Sequence, residues 1–375
     1  MPSATTRVAP KVEMSEADYI PQVDVLGHHF ASGHVLYLYH ALGKGYFKEN
    51  KIFPVFSRTN HSPKVIEGLM HDTHKIGTAT AAEVIRATSE WVANGNDPKD
   101  FPVKMIYQCD QNYSSAFYSL SNQYRQQIGL PLYPKDITTF EDMIGKIVRP
   151  GGGTPTVMFW TIAHKKGLTD KVNPSLEGLG YHPDKINISS AEEFDVKSYS
   201  NLMLQGRLDV YSKPTFGHGQ FLGRAKTTNE GLQHVAFSTI ECGIPPVYGV
   251  GIVARKDFVE DHSDMVGAFL RAIDKAMPEC VEDHMFGVRT MNEMREFGPE
   301  YDEIEGIKAA ITAGKHPEIT GEGGFYTSED TKKYGYGCIR EDKLQTLIDM
   351  LAEAGMLKEK IKPGDVYMDM KWRTD

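Results

Sequence analysis

Four residues near the start of the chain have side chains that could carry chemistry: His28, His29, Ser32 and His34. Imidazole exchanges protons near neutral pH and also binds metals. Because neighbouring side chains of an extended segment point apart, His28 and His29 are not expected to face one ligand together. We expect one of the two, with His34, to face a site and to transfer a proton there. Hydrogen bonding to a ligand and capping of the following helix are the alternatives.

A glycine-rich bend at 151–153 is the second candidate, and Thr154 and an apolar helix predicted over 157–164 follow it directly. Glycine lets backbone N–H groups approach an anion, and the start of a helix adds favourable partial charge. Gly152, Gly153 and Thr154 are therefore expected to cradle a carboxylate, sulfonate or phosphate group. A tight turn that binds nothing is the alternative.

Cys109 is the third candidate, at the end of a predicted strand over 103–107. A cationic neighbour that lowered its pKa would make its thiolate a nucleophile. The alternative is a small buried residue at a strand end, which is the commoner role of a free cysteine.

Three further candidates, one of them a pair of residues, have plainer alternatives. Glu83 and Arg86 lie one turn apart on a predicted helix, as a surface ion pair would, and at a cleft the pair would position a substrate. Trp160 is expected in the core, although its ring would suit an aromatic ligand. His218 lies in a loop, 215–219, that is also typical of a plain turn.

Composition limits the partners. The chain has 41 Lys and Arg against 50 Asp and Glu, a net charge of −9, so it has no general basic field for nucleic acid or an anionic membrane. Its four cysteines form no C-x-x-C pair, and no metal-ligand constellation is visible, so neither a metal nor another cofactor is predicted. No apolar run has the length of an export signal or a membrane span, which predicts a cytoplasmic protein unless a leader has been removed.

The elements that must position these residues alternate between strand and helix. In the first hundred residues, strands are predicted at 23–26, 51–56, 75–79 and 103–107, with helices at 35–42, 63–71 and 81–92 between them. Such alternation predicts a parallel sheet with helices on both faces. Further strands are predicted at 146–148, 186–188, 208–211, 235–237 and 247–254, and further helices from Ser263 and over 341–353.

Several segments together carry a family resemblance: GKGYFKENKI at 43–52, GRLDV at 206–210, ARKDFV at 254–259, FLRAIDKA at 269–276 and IDMLAEAGML at 348–357. The chain resembles the type II periplasmic-binding-protein superfamily, in the branch that holds nitrate, sulfonate and taurine receptors and thiamine-pyrimidine synthases. The resemblance runs from about residue 22 to 372.

This resemblance implies an α/β fold of two lobes, with mixed, mostly parallel sheets, helices on both faces and a ligand cleft between the lobes. After an N-terminal arm, 1–21, the first lobe would comprise 22–114 and 246–375, and the second 115–245. The cleft would be lined by 27–34, 77–83 and 150–156, which adds Ser32 and Thr78 to the substrate-binding candidates.

The enzymes of the superfamily differ from this chain at the positions that can be compared. The synthases carry a cysteine cluster where only Cys242 stands here, and a lysine and a histidine where Ala79 and Glu83 stand. The aromatic sulfinate desulfinases place a cysteine in the first cleft loop, near Ser32 here. The synthase activity is therefore not expected, and a desulfinase mechanism that uses a thiol in that loop has no cysteine here.

With no export signal visible, the sequence favours a cytosolic lyase that decarboxylates or desulfinates a small organic acid, aromatic acids included. His28 or His29 would be the general acid, and His34 would orient it. The bend at 152–154 would bind the anionic group of the substrate. The alternative is a non-catalytic solute-binding protein for a small sulfonate, carboxylate or pyrimidine-type anion. An ABC permease is a partner only under that alternative.

Overall fold

The structure is a computed structural model that describes residues 20–28, 35–59, 62–113, 115–151, 153–189, 201–214, 234–294 and 329–370. In chain order its strands are β1 (Gln22–His28), β2 (Phe53–Thr59), β3 (Ile76–Thr80), β4 (Val103–Gln108), β5 (Ser115–Leu120), β6 (Ile147–Arg149), β7 (Val172–Asn173), β8 (Ile186–Ile188), β9 (Val210–Pro214), β10 (His234–Ser238) and β11 (Val250–Arg255).

The helices follow the same order. They are α1 (Leu36–Gly43), α2 (Tyr46–Glu49), α3 (Ser62–Met70), α4 (Ala81–Ala93), α5 (Asn122–Gln127), α6 (Thr154–Lys165), α7 (Leu176–Leu179), α8 (Lys256–Asp261), α9 (Ser263–Glu282), α10 (His284–Met294), α11 (Glu329–Tyr334) and α12 (Glu341–Glu353).

The first sheet has five strands in the order β2-β1-β3-β11-β4. β1 pairs in parallel with both β2 and β3, and β11 lies antiparallel between β3 and β4. Every residue of β3 and β4 is buried, because helices cover both faces of a sheet of this kind. The late strand β11 thus completes a sheet that the first hundred residues begin.

The second sheet has six strands in the order β10-β5-β9-β6-β8-β7. β5 is antiparallel to β9 and β10, whereas β6, β7, β8 and β9 run in parallel. Its two faces differ: Phe117 of β5 belongs to the main core, and its neighbour Tyr118 belongs to a smaller cluster on the opposite face. The predicted class, two mixed α/β sheets with helices, is confirmed.

Two crossovers join the sheets, and their main chains pair with each other. Tyr113 N–H donates to the Val247 carbonyl at 2.7 Å, and Val247 N–H donates to the Tyr113 carbonyl at 3.0 Å. One crossover runs from β4 to β5 and the other from β10 to β11. The lobe boundaries at 115 and 245 remain a prediction, and the strands of each sheet fall on the corresponding sides of them.

The helices carry the apolar stripes that the sequence predicts. Helix α9 begins at Ser263 and buries Val266, Phe269 and Leu270 along one side. Ser263 does not cap it, because the N-cap position is His262 and no side chain there accepts a bond. Helix α12 has the predicted bounds. Within the described residues, no helix has both the length and the apolar character needed to cross a bilayer.

Candidate functional site

The turn from β3 into α4 supplies one wall of the candidate site. The Thr80 hydroxyl caps α4 by accepting the Glu83 N–H at 3.4 Å. The Glu83 carboxylate lies almost wholly inside the protein, and Arg86 Nη1 donates to its two oxygens at 3.2 and 3.1 Å. Burial raises the pKa of Glu83, and the charge of Arg86 opposes this rise. Thr78, two residues before Thr80, is fully buried.

The glycine-rich bend supplies the facing wall. Gly153 is the N-cap of α6 and has φ 65° and ψ −129°, a backbone conformation that residues with a Cβ rarely adopt. A Cβ placed on Gly153 would lie 3.5 Å from Thr80 Oγ1 and 3.8 Å from Glu83 Oε1. The structure therefore brings two sequence-predicted segments, 77–83 and 150–156, into contact although they belong to different sheets.

Three buried hydroxyls have no hydrogen-bond partners among the described residues: Thr154 Oγ1 in the first turn of α6, and Ser115 Oγ and Ser212 Oγ on the paired strands β5 and β9. We call them the hydroxyl cluster. All three residues are 0% exposed. A buried hydroxyl without a partner costs free energy, so each such group calls for an explanation.

One face of the second sheet carries the two serines of the hydroxyl cluster. Ser212 is paired directly with Phe117, and Ser115 lies two residues before Phe117, so all three side chains share a face. Helix α6 covers that face, because the rings of Phe117 and Phe159 approach to 6.3 Å. The Ser212 carbonyl also abuts the bend, since a Cβ on Gly151 would lie only 2.7 Å from it.

Chemically, the start of α6 offers the N–H groups of Gly153 and Thr154, since Pro155 has none and the Thr156 N–H donates to the Gly153 carbonyl. With the partial positive charge of the helix start and hydroxyls that can donate, they suit an anion. Sequence analysis predicted Thr154 but missed Ser115 and Ser212. A serine inside a strand carries no pattern that distinguishes it from any other polar residue, and only its burial without a partner marks it.

Cys109 is fully buried, and burial raises the pKa of its thiol well above the usual range, while a hydrogen bond with Tyr37 opposes the rise. A thiol in such surroundings is a poor source of thiolate. The environment favours the alternative, a structural residue at the end of β4.

Trp160 is half-buried and packs edge-on against Phe159, with ring centroids 5.6 Å apart, at the border of the main core. This position agrees with the prediction that Trp160 belongs to the core.

His28 ends β1, and only its backbone is described. His29, Ser32, His34, Gly152 and His218 lie outside the described residues, so their proposed roles stay predictions.

Metal-binding side chains are not gathered in the part of the chain that the structure describes: it contains no group of three or more His, Cys, Asp or Glu residues that could hold an ion. The four cysteines are free thiols.

Two mixed α/β sheets joined by paired crossovers form the periplasmic-binding-protein fold, and solved structures confirm this. The Candida albicans CA3427 gene product, described as having the generic periplasmic-binding-protein fold, is 14% identical, with a TM-score of 0.58 over 95% of this chain and 98% of that one. The periplasmic sulfonate-binding protein SsuA of a putative ABC transporter from Methylobacillus flagellatus KT is 11% identical, with a TM-score of 0.57 over 93% and 91%. The periplasmic nitrate-binding protein NrtA from Synechocystis PCC 6803 is 12% identical, with a TM-score of 0.51 over 93% and 91%.

The sequence profile of the NMT1/THI5-like family matches residues 33–284, which is more than half of the chain. The chain belongs to this family, and the resemblance to the type II superfamily is confirmed. No curated protein sequence matches the chain.

These comparisons correct two expectations. The cytosolic lyase, whether decarboxylase or desulfinase, is contradicted, because the neighbours in fold are solute-binding proteins for sulfonate and nitrate. The cytoplasmic location is contradicted with it, because those neighbours are periplasmic. Both expectations were inferred from the absence of a visible export signal, and that inference was wrong. The alternative, a solute-binding protein, agrees better with the comparisons.

Proposed function

We propose that this protein is the solute-binding component of an ABC-type importer and that it holds a small organic anion between its two lobes, outside the cytoplasm. The observation that carries the proposal is the hydroxyl cluster: three buried donors without partners among the described residues, one in the first turn of α6 and two on the sheet face that α6 covers. A bound anion would supply the missing acceptors and offset the cost of burying these groups.

The charge of the chain supports a local site of this kind. A net charge of −9 gives the surface as a whole no attraction for anions, so an anion must be captured by a local site such as the start of α6. The neighbours in fold include a sulfonate-binding and a nitrate-binding protein, which supports an anionic ligand. We propose a sulfonate or a carboxylate as its acid group.

The lobes 22–114 with 246–375 and 115–245 are proposed to close on the ligand about the paired crossovers. On sequence grounds, the segment 27–34, with Ser32 and its neighbouring histidines, is expected to contribute to the wall opposite the bend. Thr78 and Glu83 would contribute from the turn between β3 and α4.

The test compares two threonines of the same helix. Thr154 Oγ1 has no partner among the described residues, whereas Thr161 Oγ1 donates to the Val157 carbonyl at 2.9 Å. Valine has nearly the shape of threonine but lacks the hydroxyl. Binding of ethanesulfonate, propionate, benzoate and nitrate is measured by calorimetry for the wild type, Thr154→Val and Thr161→Val, together with thermal unfolding without ligand.

We expect saturable binding of at least one of these anions by the wild type. Thr154→Val should weaken it about 10-fold or more, because a hydrogen bond to a charged group is lost, and should leave the unliganded protein as stable or more stable. Thr161→Val should show the reverse, with lower stability and unchanged affinity. The proposal fails if the wild type binds neither these anions nor their amino-substituted analogues, or if Thr154→Val binds as tightly as the wild type.

A further inference from the structure

We infer that Glu83 determines ligand specificity: it selects an acid that also carries a protonated amine or another nitrogen donor, and it disfavours a simple anion. This inference rests on the proposed function, since it concerns the same site between the lobes.

The first step concerns where the carboxylate lies. Glu83 Oε1 would be 3.8 Å from a Cβ on Gly153, so the carboxylate stands against the residue that caps α6. The same helix start is where an anion would be held. An anion held at that helix start would therefore meet a second negative group, and like charges repel strongly in a buried site.

The second step concerns how far Arg86 cancels this charge. The Glu83 side chain is 8% exposed, but the Arg86 side chain is 43% exposed, so the cation faces water while the carboxylate faces inward. A single Arg86 nitrogen, Nη1, donates to both carboxylate oxygens. A carboxylate can accept about four hydrogen bonds, so acceptor capacity remains for a ligand.

Together these features make a site with two unlike ends. The hydroxyl cluster and the start of α6 offer donors, and Glu83 offers a buried acceptor with negative charge. An amino-substituted sulfonate or carboxylate satisfies both ends, because its acid group meets the donors and its ammonium group meets Glu83. A simple anion satisfies only one end and is repelled at the other.

The experiment uses two pairs of compounds that differ only in an ammonium group: 2-aminoethanesulfonate with ethanesulfonate, and 3-aminopropionate with propionate. Calorimetry measures their affinities for the wild type, Glu83→Gln, Glu83→Asp and Glu90→Gln. Glu90 is the matched control, since it lies on α4 as well but is exposed and pairs with Lys358 at the surface. Thermal unfolding checks that each variant is folded.

We expect the wild type to prefer the amino compound by about 10-fold or more in at least one pair. Glu83→Gln should remove most of that preference, with weaker binding of the amino compound and tighter binding of the simple anion. Glu83→Asp, which keeps the charge, should retain a preference in the same direction, and Glu90→Gln should match the wild type.

Two results overturn the inference. In the first, the wild type binds both members of each pair equally. In the second, Glu83→Gln keeps the full preference. Either result leaves the solute-binding proposal standing, because in both the wild type still binds at least one of the compounds. Failure of every compound to bind the wild type would instead remove the proposed function, and this inference with it.

Discussion

The hydroxyl cluster beside α6 and the C-terminal clasp both contain buried polar side chains, but among the described residues only those of the clasp have hydrogen-bond partners. We define the clasp as Ser89 and Lys104 with the segment 358–365. Lys104 Nζ donates to the carbonyls of Pro98, at 3.1 Å, and of Asp365. Ser89 Oγ donates to the Glu359 carbonyl at 2.7 Å and accepts the N–H groups of Lys358 and Glu359 at 3.0 and 2.8 Å.

The clasp and the candidate site lie at opposite ends of the parallel strands β3 and β4. Lys104 stands near the beginning of β4, whereas the candidate site adjoins the end of the parallel strand β3. In open α/β sheets, ligands bind beyond the carboxyl ends of the strands. The difference teaches that buried polar groups completed by the chain hold the fold together, and that those left incomplete are candidates for a ligand.

The largest expected effect concerns Lys104 and pH. Burial lowers the pKa of Lys104 from 10.5 to about 8 in the folded protein. Between these values the unfolded chain holds the proton more tightly, so the free energy of unfolding should rise as pH increases from about 8 to 10.5. Below about 8 that gain is lost, because Lys104 is protonated in both states.

Lys104→Met should lack this rise. We expect the difference in unfolding free energy between wild type and variant to change by at most about 3 kcal/mol across the window. Urea unfolding at several pH values measures it, with the exposed Lys64→Met as control. Parallel curves for wild type and Lys104→Met would show that the ammonium of Lys104 is not desolvated.

The next effect tests the other half of the clasp. Ser89→Ala removes three hydrogen bonds and leaves the N–H groups of Lys358 and Glu359 without their acceptor. We expect the free energy of unfolding to fall by about 2 kcal/mol, measured by urea unfolding at pH 7. A loss below about 0.5 kcal/mol would mean that water replaces the hydroxyl and that the clasp does not stabilise the fold.

The smallest effect on stability is expected in the hydroxyl cluster. Ser212→Ala removes a buried hydroxyl that has no partner among the described residues, so the free energy of unfolding should stay the same or rise by up to about 1 kcal/mol. The affinity for the anion should fall. A stability loss as large as that of Ser89→Ala would remove the contrast between the two regions.

The fold was largely predictable because its elements repeat local patterns. Helix α12 has the predicted bounds, since Leu344, Leu347, Ile348 and Leu351 recur at helical spacing and are all buried. Strand β5, Ser115–Leu120, was not predicted. Its serines break the apolar pattern, and it is stable as a strand because β9 and β10 pair with it from both sides.

The candidate site was predictable only in part. Glu83 and Gly153 stood out because a charged pair at a helix start and a glycine-rich bend are local signals. Ser115 and Ser212 did not, because their meaning depends on which face of the sheet α6 covers. The thiol of Cys109 was open to two interpretations until its burial was known.

The sequence by itself determined the alternation of strands and helices, the absence of a general basic field and the resemblance to a two-lobed fold, because each follows from neighbouring residues or from composition. Only the tertiary structure decided that β11 enters the first sheet between β3 and β4, that Glu83 meets Gly153, and that three buried hydroxyls have no partners among the described residues. These are contacts between distant segments, and their energies depend on burial and partners that no local stretch of sequence contains.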